Sequence, residues 1–196
     1  MVRTAWPWKK DIDNEKRAPH VLVRMKGGLA HRGFRVRSAE KELRELGLRE
    51  GCRVLDFESG AGVYTIAAAR VVGGKGTVHA VDIHPTSLAM IEKKSKSLGL
   101  SNVDTIYSDL ETGIDGSSVD FVIFYDVLKG KKRVKGLLSE ACRVVKPTGM
   151  LLVKQPGMKE DKVNEMVLKD GFFSFAGRQG SVLRYAKIMG AFREVS

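Results

Sequence analysis

The chain has 196 residues, 43% of them hydrophobic and 29% charged, and a net charge of +11. This supports one domain with a packed core and excludes wholesale disorder. The 21 glycines and five prolines exclude collagen-like or proline-rich architecture. Apolar runs such as Tyr64–Ala69 and Phe121–Tyr125 fall far short of the ~20 residues of a membrane span. No apolar core stands in MVRTAWPWKKDID, so no secretory leader is expected. Cys52 and Cys142 cannot make a disulfide framework, and neither they nor the four histidines show a zinc spacing. The expectation is a cytoplasmic protein with no bound metal.

Residues 1–37 carry ten Lys/Arg against three Asp/Glu, so most of the basic excess is N-terminal. They contain Trp6, Trp8 and Phe34 without a clean period. They read as a basic arm, with residues 38–196 as the domain proper. Such an arm could meet an anionic partner, RNA included, or could simply be solvated. Ser38 is then expected to cap a helix with Leu43, Leu46 and Leu48 as its apolar stripe, ended by Gly47 and Gly51.

From Gly51 onward, strand, glycine turn and helix repeat. Arg53–Phe57 reads as a strand, Gly62–Val72 as an alanine-rich helix, Thr77–Asp82 as a strand and Pro85–Leu98 as a helix. Val103–Tyr107 and Val119–Tyr125 follow as strands, the latter almost continuously apolar, as a strand covered on both faces should be. Val134–Val145 is expected as a helix, Pro147-Thr148-Gly149 as a turn and Met150–Lys154 as a strand. Glu160–Leu168 reads as a helix. Phe172–Ala176 and Val182–Ile188 read as a hairpin around Gly177–Gly180. Strands alternating with helices mean a doubly wound, largely parallel α/β sheet.

Three features point to a nucleoside-type ligand. In Asp56-Phe57-Glu58-Ser59-Gly60-Ala61-Gly62, the glycines pass from a strand into a helix, where backbone N–H groups are free to meet a ligand. Glycines also simply make tight turns. Asp82 ends the next strand, about 20 residues on, where a carboxylate can accept both hydroxyls of a ribose. It could equally cap the helix at Pro85. Asp109 follows the third strand and could accept from an adenine amine, or be an ordinary loop residue.

In order and spacing, Asp56-x-Glu58-x-Gly60-x-Gly62, Asp82-Ile83, Ser108-Asp109, Asp120-Phe121-Val122-Ile123 and the Lys146-Pro147-Thr148-Gly149 run resemble the class I S-adenosylmethionine-dependent methyltransferases. The likeness spans about residues 38–190 and is similar in flavour to the small ubiquinone/menaquinone C-methyltransferase group. It implies a Rossmann-like sheet of seven strands, order 3-2-1-4-5-7-6, with the last strand antiparallel. It implies S-adenosyl-L-methionine as cofactor and S-adenosyl-L-homocysteine as product. Carried over by position, Asp56, Glu58, Gly60 and Gly62 form the loop at the amino-acid end of the cofactor. Asp82 meets the ribose, Ile83 packs on the adenine, Asp109 binds its amine and Leu110 offers a backbone N–H. One departure stands out: the family usually has glycine where Glu58 stands.

The remaining candidates lie at the carboxyl ends of strands four and five, where open α/β sheets bind ligands. They are Tyr125, Asp126, Lys129, Lys154 and Gln155, with Tyr125 and Asp126 best placed near the transferred methyl and Lys154 a further catalytic candidate. Phe124-Tyr125-Asp126-Val127 lacks the pattern of amino-group methylation of bases. Neither cysteine suits cytosine C5 chemistry, and the chain lacks the thiols of arsenic methylation. The expected acceptor is a small molecule. One alternative is RNA 2′-O-ribose methylation: enzymes similar to the heat-shock rRNA methyltransferase use a Lys-Asp-Lys-Glu tetrad, for which Asp126 and Lys154 stand at comparable strand ends, with Lys41 on the preceding helix and the basic arm on phosphates; the terminal hairpin lacks the glutamate of that tetrad. Another is a non-catalytic cofactor-binding protein on the same scaffold.

Overall fold

The computed structural model describes residues 29–128 and 131–190, with side chains from residue 35 in the first segment and from 133 in the second. Five helices flank one sheet: α1 (Leu29–Glu45), α2 (Val63–Val72), α3 (Pro85–Ser97), α4 (Lys131–Val144) and α5 (Glu160–Leu168). The strands are β1 (Arg53–Phe57), β2 (Thr77–Asp82), β3 (Val103–Tyr107), β4 (Val119–Tyr125), β5 (Val145–Lys154), β6 (Phe173–Gln179) and β7 (Val182–Lys187). They form a seven-stranded sheet in the order β3-β2-β1-β4-β5-β7-β6. β1 to β5 run parallel, and β7 runs antiparallel to both of its neighbours.

The strand residues alternate between two cores, one on each face. Leu55, Val122, Phe124, Leu151 and Val153 pack with Leu137 and Leu138 of α4 and Val163 and Val167 of α5. Phe57 and Phe124 meet edge to face there, with ring centroids 5.6 Å apart. Val54, Val78, Ile123 and Leu152 face the opposite core, with Leu43 of α1 and Ile66, Ala67 and Val71 of α2. Each fully buried Leu, Val or Phe stabilises the fold by about 1.5–3 kcal/mol. This two-sided burial is why β4 carries no solvent-facing alternation.

Two local expectations are corrected. Ser38 does not start a helix. It sits within α1, whose apolar stripe already includes Val36 and Ala39 and continues to Leu43 and Leu46. The spacing of three or four residues holds one face on the core and carries the helix through position 38. α1 therefore runs across the boundary drawn between an arm ending at 37 and a domain beginning at 38. Trp6 and Trp8 lie outside the described residues, as does Lys129.

The second correction concerns Lys146–Gly149. β5 begins at Val145 and continues through these residues, with a register shift that sets Val119 opposite Val145 and Phe121 opposite Met150. The surplus residues bulge out. Lys146 Nζ donates to Asp120 Oδ1 at 2.7 Å and the Arg53 N–H donates to Asp120 Oδ2 at 2.8 Å, which pins the bulge to β1 and β4. A Cβ at Gly149 would stand 2.7 Å from the Asp120 carbonyl oxygen, so only glycine fits.

Candidate active site

Strand order reverses between β1 and β4, and such a switch point opens a crevice at the carboxyl ends of the strands. Its floor is the loop Glu58–Gly62, and Asp82 builds much of it. The Gly60 N–H donates to Asp82 Oδ2 and the His84 N–H to Asp82 Oδ1, each at 2.8 Å. One side chain thus fixes the loop after β1 and the entry to α3. A carboxylate has about four acceptor sites, so two remain for further donors. Asp82 therefore takes the helix-entry role at His84 and keeps acceptor capacity toward the crevice.

The two glycines differ in purpose. Gly62 has φ 72°, and a Cβ there would lie 2.6 Å from Ile91 Cγ1. Close packing of α2 on α3 requires glycine at that point. At Gly60, also left-handed at φ 52°, a Cβ would meet nothing nearer than the Glu58 carbonyl at 3.8 Å. The open side of the loop is at Gly60. α2 has no side-chain N-cap, so N–H groups of its first turn remain available to a ligand.

Asp56 lies buried beneath this loop and accepts the Thr65 hydroxyl at 2.6 Å. Burial pushes its pKa up to about 7; the Thr65 bond pulls the other way, and the Asp82 charge raises it further. Its place is under the crevice, as a brace between β1 and α2. Glu58 is half-buried with φ 51°, a left-handed backbone that favours glycine. Burial raises its pKa, and Arg133 opposes that rise. Arg133 of α4 reaches Glu58 Oε1 at 3.4 Å and donates to the Asp109 carbonyl at 2.5 Å. It therefore ties the β1 loop to the β3 loop across the crevice.

On the adenine side of the expected layout, Ile83 is half-buried and Asp109 is exposed. The Leu110 N–H donates to Ser108 Oγ at 3.2 Å, and the Leu110 side chain packs where Gly136 leaves room.

Tyr125 and Lys154 are register partners at the ends of β4 and β5. They line a pocket of about 180 Å³ with Tyr64 of α2 and Arg35, Ser38 and Glu42 of α1. Glu42 organises it: Lys154 Nζ donates to Oε1 at 2.6 Å and the Tyr64 hydroxyl to Oε2 at 2.5 Å. Burial, followed by the Glu42 bond, raises the Tyr64 pKa and keeps its hydroxyl protonated. The Tyr64 and Tyr125 rings lie 4.8 Å apart, and Lys154 Nζ sits about 6 Å from both centroids.

Asp126 is held differently. Its backbone is left-handed at φ 61°, its N–H donates to the Lys154 carbonyl, and its carboxylate accepts from Gln155 Nε2 at 2.7 Å. Gln155 also accepts the Leu128 N–H. Lys154 is thus paired with Glu42, and Asp126 with Gln155. Lys41 lies 3.8 Å from Glu45 on the exposed side of α1.

Sequence reasoning passed over Glu42, Tyr64 and Arg133. Their signal is spatial: Glu42 and Lys154 meet across 112 positions of chain. Among the described residues no cluster of His, Cys, Asp and Glu could hold a metal ion. No described helix is long and apolar enough to cross a membrane.

A family model described as a methyltransferase domain matches residues 48–182. The chain belongs to this family. Demethylmenaquinone methyltransferase of Bacillus subtilis (strain 168) is 28% identical over 122 residues, 62% of this chain and 52% of that protein. The Geobacillus kaustophilus demethylmenaquinone methyltransferase is 32% identical over 112 residues, 57% of this chain and 48% of its own. The chain spans about half the length of these relatives. A crystal structure of a SAM-dependent methyltransferase from Aquifex aeolicus superposes with a TM-score of 0.71 at 25% identity, covering 88% of this chain and all of that one.

The methyltransferase domain and the fold imply S-adenosylmethionine as cofactor, with S-adenosylhomocysteine as product. The residues present fit that group: an open glycine loop, an uncapped helix start and a buried carboxylate with acceptor capacity to spare line one crevice.

Proposed function

We propose that this methyltransferase acts on a small-molecule acceptor held in the pocket between α1 and the carboxyl ends of β4 and β5. The carrying observation is that pocket. It adjoins the glycine loop through Tyr64, at the second position of α2, and has the volume of a small molecule. The demethylmenaquinone relatives, whose names specify a small acceptor, support the same class.

In this reading Asp82 accepts from the ribose while holding Gly60 and His84 in place. Gly60 gives the amino-acid end of the cofactor room against the backbone, Ile83 covers the adenine, and Asp109 with the Leu110 backbone binds its edge. Asp56 and Glu58 shape the loop from beneath and from its rim. When bound, S-adenosylmethionine supplies an activated methyl on a sulfonium, so the protein's share is alignment more than activation. Tyr125 and Lys154 line the acceptor side, and Asp126, fixed by Gln155, sets the end of β4 beside them.

The test incubates the full chain with methyl-labelled S-adenosylmethionine and either an ultrafiltered metabolite extract or an RNA fraction. Label transferred to small molecules, and lost in Tyr125→Phe and Lys154→Met variants, is the expected result. Label confined to RNA would overturn the reading.

A further inference from the structure

The proposed acceptor pocket has an uneven complement of donors and acceptors. Both oxygens of Glu42 are already engaged, by Lys154 and by Tyr64. Lys154 has three N–H donors, of which Glu42 takes one. Arg35 adds a guanidinium on the same wall, exposed, with no described carboxylate paired to it. The described lining therefore carries one more positive than negative charge and several unused donors. A ligand rich in acceptor oxygens would satisfy them. The walls are aromatic, since Tyr64 and Tyr125 pack together beneath Lys154.

The pocket continues along α1 into a second hollow of about 220 Å³, sharing Ser38 and Glu42. Its other described lining is Lys41, Glu45, Gln179 and Gly180, at the turn between β6 and β7. A long hydrocarbon tail laid along that path would strip water from two carboxylates and a lysine without replacing it. A prenylated ring is thus a poor match for the described surface, although the relatives are named for a quinone.

Resting on the reading that this pocket takes the acceptor, we propose that the acceptor is a planar aromatic acid with a polar periphery. Its ring lies against Tyr64 and Tyr125, and its anionic group is held by Lys154 and Arg35. At about 180 Å³ the pocket suits one or two fused rings; drug-sized sites run to roughly 300–1,000 Å³.

The test uses the full chain saturated with S-adenosylhomocysteine and titrates matched probes by calorimetry and ligand-observed NMR. The probes are benzoate against benzamide, 2-naphthoate against 2-naphthamide, and 2-geranyl-1,4-naphthoquinone. The carboxylates should bind about tenfold more tightly than their amides, the scale of one or two charge-assisted hydrogen bonds. Arg35→Met and Lys154→Met should shrink that ratio toward unity with the S-adenosylhomocysteine affinity unchanged. Arg35 is exposed, so its variant keeps the test informative even if Lys154→Met unfolds.

Amides that bind as well as the acids, a geranyl quinone that binds more tightly than either acid, or no binding by any probe would overturn the proposal. If S-adenosylhomocysteine itself failed to bind, the crevice assignment would fall, and the same titrations without it would still decide the pocket. If RNA were the methylated species while the acids still bound here, the small-molecule reading would fail separately.

Discussion

Glu58 adopts φ 51°, and replacing it separates backbone strain from side-chain chemistry. A non-glycine residue in the left-handed region costs roughly 1–2 kcal/mol. Glycine removes that cost but adds about 0.4–1 kcal/mol of chain entropy in the unfolded state. Alanine keeps the strain. Both replacements lose the 3.4 Å pair with Arg133, whose side chains are 34% and 41% exposed. An exposed pair of this kind contributes at most about 1 kcal/mol, and the loss is common to both variants. Glu58→Gly should therefore be more stable than Glu58→Ala by about 1 kcal/mol, the reverse of their order in a helix. Urea denaturation of the three proteins, read at the midpoint with equal slopes, measures the difference. An alanine variant as stable as the glycine variant would refute the strain argument.

Three further outcomes follow from buried contacts. Asp56, at a pKa of about 7 in the folded state against 3.8 unperturbed, keeps its proton longer when folded. Its contribution is full below about pH 4 and is lost as pH rises toward 7, a slope on the order of a few kcal/mol; Asp56→Asn should flatten the stability profile over that window, and parallel profiles would refute it. Gly76→Ala should cost about 1–3 kcal/mol, because its Cβ would press on the Cys52 carbonyl and stand 2.6 Å from Val72 Cβ, whereas Gly74→Ala, with open space around it, should stay within about 0.5 kcal/mol by chemical denaturation. Asp82→Ala leaves the Gly60 and His84 N–H groups without their acceptor, so it should lower stability by about 1–3 kcal/mol and abolish the melting-temperature rise that S-adenosylhomocysteine gives the parent; a wild-type rise would exclude Asp82 from the cofactor site.

The sheet was legible in the sequence because β1, β2 and β4 are buried on both faces and so appear as short apolar runs between glycine turns. The seven-strand order came from family resemblance, which the sheet bears out. The start of α1 was not legible: Ser38 has the look of a cap, and Val36 and Ala39 complete the stripe only once the helix is seen against α2. At Lys146–Gly149 the sequence reads as a turn, yet pairing with Asp120 carries the strand through as a bulge. In the site, Asp82 and the glycines were visible because their spacing is local. Glu42 and Arg133 were not, since an isolated Glu or Arg on a helix looks like any solvated charge until Lys154 or Glu58 stands opposite.

α1 ends at Glu45, and the segment matched by the family model begins at residue 48. Arg35, Ser38 and Glu42 therefore stand ahead of the segment that the family model matches. Gly60, Gly62 and Asp82 lie within that segment, whereas one wall of the neighbouring pocket is encoded ahead of it. The two sides of that pocket are thus written in separate stretches of sequence, joined by the contacts of Glu42 with Tyr64 and Lys154. Rewriting that leading helix would reshape one wall of the pocket while leaving the sequence of the glycine loop untouched.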